Sequence, residues 1–183
     1  MENNSIVTTG VKGMENRGPR LLSDLGGLAQ GTLKEFLETL SDPVLLIGPG
    51  VGLSRGPGSE GSGAEETETL PEGMSSNVNP IIVIPVAKQF STTVADIIWV
   101  GRAVTCDVVV AHETVSKVHT VLSRNGAGEL MVTDAGSKNG TWVNGRKLQG
   151  GEQVVLNDND VLKLGELETL FLNPTSLYDF LRK

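Results

Sequence analysis

In the C-terminal half of the chain, β-branched and aliphatic residues gather in short runs that turn residues interrupt every eight to twelve positions. The runs are 81–87, 97–102, 107–110, 118–124, 129–133, 141–143, 153–156, 161–164 and 167–172. Short strands at that spacing, with no long helical pattern between them, predict an all-β sandwich. Asn125-Gly126 and Asn144-Gly145 predict two-residue hairpin turns of the kind that needs positive φ at both central positions. Pro174 predicts a helix start, and Leu177, Tyr178, Phe180 and Leu181 give the short C-terminal helix one apolar side.

The N-terminal half reads differently. Residues 1–20 are polar and aperiodic and are expected to lack structure. Leu33, Phe36, Leu37 and Leu40 fall at helical spacing behind Thr32, with Glu35 three residues on, which predicts a capped helix over 32–40. Ser41-Asp42-Pro43 ends it, and Val44–Ile47 is a brief strand-like run. From 48 to 79 glycine, serine, proline and glutamate replace the apolar pattern, as in a linker. The expected organisation is an N-terminal tail with a short helix and strand-like run over 1–47 and a flexible acidic Gly-rich linker over 48–79. A sandwich of short strands over 80–174 and a helix over 175–183 complete it. The linker's composition gives it little to bury, so the sandwich half is expected to fold without the residues before it.

Charge sharpens this picture. The net charge of −7 comes largely from residues 56–80, which hold five glutamates (60, 65, 66, 68 and 72) and no lysine or arginine. Elsewhere acids and bases nearly balance, and no clustered basic face points to nucleic acid. The single cysteine, Cys106, cannot form an internal disulfide, which suits a reducing compartment. The longest apolar run, 81–87, is too short to cross a bilayer, and the N-terminus lacks the basic-then-apolar pattern of a secretory signal. A soluble, monomeric, cytoplasmic protein with no membrane or nucleic-acid partner is expected.

Four elements follow one another at domain-like spacing: Gly101-Arg102, then Ser116-Lys117-Val118-His119, then Asp134-Ala135-Gly136-Ser137-Lys138-Asn139-Gly140-Thr141, then Val143-Asn144-Gly145. Together with Leu156-Asn157-Asp158-Asn159-Asp160-Val161 and Gly165 they resemble the forkhead-associated (FHA) family over roughly residues 81–173. That family carries Gly-Arg, Ser-Arg-x-His and Ser-x-Asn-Gly-Thr-x-Val-Asn in this order. The resemblance implies an FHA-type β-sandwich of about ten to eleven short strands that binds phosphothreonine segments of other proteins, such as Ser/Thr kinases or their substrates, with no cofactor and no catalysis. It makes Arg102, Ser116, Lys117, Ser137, Lys138 and Asn139 the phosphopeptide-binding residues. Gly101, His119, Gly140 and Asn144 become supports of the site. Lys117 stands where arginine is usual, and Asn159 stands where the family has glycine.

The chemistry agrees. A phosphothreonine carries nearly two negative charges and three strong acceptor oxygens, so its receptor needs cations and hydroxyl or amide donors converging from loops. Other readings are weaker. Ser116 and His119 lack the third member and elbow of a hydrolytic triad. His112 and Cys106 lack partners at ligand spacing, so no metal is expected. Residues 44–52 run from a strand-like segment into glycines, without the Gly-Lys-Ser/Thr or third glycine of a nucleotide loop. A phosphate-independent FHA scaffold is an alternative that the retained Arg102, Ser116 and Asn139 disfavour. Finally, Thr67 and Thr69 stand among Glu65, Glu66 and Glu68. Small bacterial FHA proteins resemble this layout, which implies possible phosphorylation there and a self-inhibited switch in which the chain fills its own site.

Overall fold

A computed structural model of the chain describes residues 19–48, 80–90 and 97–183. Thr67, Thr69 and most of the expected linker lie outside the described residues.

Two sheets pack face to face. The larger has seven strands in the order β1 (Arg20–Leu21), β3 (Ile82–Pro85), β2 (Val44–Ile47), β12 (Leu167–Leu172), β11 (Val161–Leu164), β8 (Thr141–Val143), β9 (Arg146–Lys147). The smaller has five, ordered β10 (Val154–Val155), β7 (Leu130–Asp134), β6 (Thr120–Arg124), β4 (Ile97–Gly101), β5 (Val108–Val109). Alternation along each strand sends one face inward: Val100, Leu122 and Val132 of the smaller sheet meet Leu45, Leu162, Leu164 and Phe171 of the larger.

The strand-like run Val44–Ile47 is not separate from the sandwich. It lies between β3 and β12, with Leu45 paired to Ile84 on one side and Phe171 on the other. Val44, Leu45 and Leu46 are all completely buried. Leu45 faces the core between the sheets, whereas Val44 and Leu46 face a second core on the outside of the larger sheet. An unbroken apolar run, rather than an alternating one, is what a strand covered on both faces requires. Residues 48–81 are thus the connection within a β2–β3 pair.

The second core is roofed by helices. Thr32 caps α2 (Leu33–Thr39) as its sequence predicts: the Glu35 amide donates to Thr32 Oγ1 (3.3 Å) and the Thr32 amide to Glu35 Oε2 (2.8 Å). Its Phe36 packs on Tyr178 of the C-terminal helix α3 (Pro174–Leu181), ring centroids 5.3 Å apart. The Tyr178 hydroxyl donates to the Gly31 carbonyl (2.9 Å). Leu25 of α1 (Leu22–Leu25) and Ala29 complete the layer against Leu46, Val83 and Leu172.

The Asn144-Gly145 turn has positive φ at both residues (50° and 80°), as a hairpin of that type needs. Asn125-Gly126 does not. There the positive φ sits at Gly128, and Asn125 Oδ1 accepts from the amides of Ala127 and Glu129. The asparagine side chain holds a longer loop instead of occupying the left-handed region itself.

Removing residues 1–47 would strip β2 from the middle of its sheet. Burial of Val44, Leu45 and Leu46 contributes about 1.5–3 kcal/mol each, against a total domain stability of about 5–15 kcal/mol. The shortened protein is expected to lose its cooperative thermal transition, and Leu45→Ala to lower stability by about 2–5 kcal/mol in chemical denaturation. An unchanged transition in the shortened chain would contradict the placement of β2.

Candidate functional site

The motif residues gather where β4 ends and where the loops β5–β6 and β7–β8 leave the sandwich. The end of β4 is stitched to the first loop by backbone: Arg102 N–H donates to the Ser116 carbonyl (2.9 Å) and Ala103 N–H to that of Lys117 (3.0 Å). This approach requires Gly101, because a Cβ there would lie 2.4 Å from the Lys117 carbonyl oxygen. Arg102 is exposed and spends its Nε–H on the Val115 carbonyl (3.1 Å). Its two terminal amino groups point a planar fork outward from a fixed stem.

His119 is the pin between the loops. It is fully buried; its Nδ1 accepts from the Ser116 amide (2.9 Å) and its Nε2 meets the Gly140 carbonyl (2.8 Å). An amide can only donate and a carbonyl only accept, so the ring is neutral with its hydrogen on Nε2. Burial holds its pKa below the ordinary histidine range, against the opposing pull of the Gly140 carbonyl and Asp134.

Two further bonds close the gap. Lys138 N–H donates to Ser116 Oγ (3.0 Å), and Asn139 Nδ2 donates to the Thr114 carbonyl (2.7 Å). Ser116 therefore accepts from within and keeps its own hydrogen for a ligand. Asn139 keeps its amide oxygen and one amide hydrogen. Lys117 and Lys138 are exposed on either side. Ser137 is different: its hydroxyl donates to Asp134 Oδ2 (2.7 Å) and accepts from the Gly140 amide (2.8 Å). It has no hydrogen left for a phosphate and shapes the loop instead. Asn144 stands farther along, donating to Asp160 (2.7 Å) and accepting from the Val161 amide (2.8 Å), so it ties the β8–β9 turn to β11.

Two residues absent from the sequence-based set organise the site. Asp134 ends β7 and accepts from the amides of Gly136 and Ser137 and from the hydroxyls of Ser137 and Thr141. Burial pushes its carboxyl up, but these four bonds outweigh that and hold it below its usual range. Asp-x-Gly-Ser is a recognisable side-chain turn signal. Thr114 supplies the carbonyl that Asn139 holds and takes the Glu166 amide on Oγ1 (3.1 Å). No local sequence signal marks it.

The described residues thus form a two-sheet sandwich with a loop-built, donor-rich face at one end. Residues 98–165 match the family model of the FHA domain, and the chain carries an FHA domain there. It is 32% identical over 73 residues to the FHA domain-containing protein PS1 of Arabidopsis thaliana, covering 39% of this chain and 5% of that protein. It is 36% identical over 77 residues to the Probable serine/threonine-protein kinase fhkA of Dictyostelium discoideum, covering 38% of this chain and 13% of that one. The matched region is therefore a small part of either relative. Among solved structures, the FHA domain of CT664 protein from Chlamydia trachomatis aligns at 20% identity and a TM-score of 0.44, over 72% of this chain and 97% of that one. Among the described residues, no group of three or more His, Cys, Asp or Glu side chains could hold a metal ion. No helix among them is long and apolar enough to cross a membrane.

The neutral imidazole makes stability depend on pH. The unfolded chain takes up a proton on this residue as pH falls below about 6.5, while the folded state resists it. Its contribution is complete above that pH and is lost as pH falls through the lowered folded value. Melting temperature should begin to drop on acidification before the carboxylates titrate, and His119→Gln should remove that early component. His119→Ala should lower stability by about 2–5 kcal/mol, since two buried partners lose their hydrogen bonds. A mutant that melts like wild type would contradict the pinning role.

Proposed function

We propose that the protein is an adaptor that binds phosphothreonine segments of partner proteins in Ser/Thr kinase signalling and has no catalysis of its own. The observation that carries this reading is the convergence of the Arg102 fork, the Ser116 hydroxyl and the Asn139 amide. All are held by hydrogen bonds that leave their outward donors free. A phosphate with three acceptor oxygens suits the first two. The Asn139 oxygen and its remaining hydrogen suit a peptide group of the ligand backbone. Lys117 and Lys138 add positive charge without bidentate geometry. The kinase context is supported by the name of the Dictyostelium discoideum relative.

Charge-assisted hydrogen bonds contribute about 1.5–3 kcal/mol each. In a complex of about micromolar affinity, near −8 kcal/mol, Arg102→Ala should weaken binding of a phosphothreonine peptide by about tenfold to a hundredfold or more. The unphosphorylated peptide should not bind. Calorimetry on the full chain decides: equal affinity for phosphorylated and unphosphorylated peptides, or an unaffected Arg102→Ala variant, would overturn the reading.

A further inference from the structure

The outer face of the larger sheet is covered along only part of its width. The helical layer packs over β2, β3 and β12 through Val44, Leu46, Val83, Leu170 and Leu172. Beyond β12, strands β11, β8 and β9 carry a different set. Trp142 is paired with Lys163 on one side and Lys147 on the other, and their ammonium groups lie 5.7 Å and 5.1 Å from its ring centroid. Burial alternates along β8, with Thr141 and Val143 buried and Trp142 partly open, so the indole and both lysines share the outer face.

This platform adjoins the phosphopeptide site through one residue. A Cβ on Gly140 would meet Lys147 Cε at 2.6 Å, Lys147 Nζ at 3.2 Å and the Trp142 ring at 3.2 Å. Gly140 follows Asn139 directly, and its carbonyl receives the His119 hydrogen. A peptide held at Asn139 therefore lies next to Lys147. Lysines outnumber acids around it: Lys138, Lys147 and Lys163 stand with Glu166, which follows Gly165 at the Gly140 carbonyl, and with Glu168, which meets Lys163 at 3.7 Å with both side chains 36% exposed. An open pair of that kind is weak and exchanges readily for another carboxylate. The indole face also holds the two ammonium groups in place, so less side-chain freedom is lost when they meet a ligand.

From this we infer that Lys147, Trp142 and Lys163 form a second contact surface that seats an acidic segment of the same phosphorylated partner, its carboxylates between the two lysines. The inference rests on reading the adjoining site as a phosphothreonine receptor. The surface then selects among phosphothreonine segments by the charge of the sequence beside them.

The test compares phosphothreonine peptides with glutamates on either side of the phosphothreonine against one with neutral flanks, titrated into the full-length protein and into Lys147→Gln/Lys163→Gln. Two exposed charge contacts correspond to about threefold to tenfold in affinity. Wild type should prefer one of the acidic peptides by about that factor. The double variant should lose the preference yet bind the neutral peptide as wild type does, whereas Lys34→Gln on α2 should keep it. No preference in wild type, or a preference that survives in the double variant or falls equally in the Lys34 variant, overturns the second surface while the phosphothreonine reading stands. Failure of wild type to bind any of the phosphopeptides overturns both.

Discussion

The imidazole of His119 is the constraint on which the binding face depends. Ser116 and Gly140 belong to different loops, and a neutral ring reaches both because it has one acceptor and one donor nitrogen. Its neighbours add to the same junction. The Gly140 carbonyl also receives the Gly165 amide (3.0 Å), so β8, the β11–β12 turn and the first loop meet at one point. Gly165, at φ +65°, has no room for a side chain, since a Cβ would lie 2.6 Å from the Thr114 carbonyl oxygen. With the loops fixed by these bonds, Arg102, Ser116 and Asn139 would lose little further freedom on meeting a ligand.

The same division of labour appears elsewhere. Asp134 gathers four donors in the β7–β8 loop, and Asp107 gathers three amides from the segment after β3 and from β4. Asp107 is 2% exposed, and its carboxylate accepts from the amides of Gln89, Phe90 and Trp99. Burial pushes the Asp107 carboxyl up, and these amides, with Lys88, more than reverse it. Cys106 beside it is an inert packing residue: burial raises its thiol, which donates to the Lys117 carbonyl. Buried polar groups in this domain shape backbone, while Arg102, Lys117, Lys138 and Asn139 face solvent at the site.

Much of this was legible in the sequence because it is local. Short apolar runs between turn residues marked the strands, Thr32 and Glu35 marked a helix start, and the spaced motif picked out loop residues that hydrogen bonds bring together at one end of the sandwich. The place of β2 was not legible from spacing, because its pairing partners lie across residues 48–81 on one side and at β12 on the other. The clue was the unbroken run of Val44, Leu45 and Leu46, which needs cover on both faces. The helix over 33–39 has its role for the same reason: it roofs the outward side of that strand. Ser137 shows the limit of motif reading. The motif groups it with ligand residues, while its hydroxyl is occupied by Asp134 and Gly140.

The central claim is that a neutral, buried histidine holds two loops so that other residues meet the phosphothreonine. Nitrogen-15 spectra of the imidazole, taken with and without a phosphothreonine peptide, test it most directly. The account predicts a neutral ring protonated on Nε2 at pH 7, unmoved by peptide, while the Asn139 side-chain amide and the backbone amides of Ser116 and Lys138 shift. A charged ring, or ring nitrogens that respond to the peptide as a direct ligand would, contradicts it.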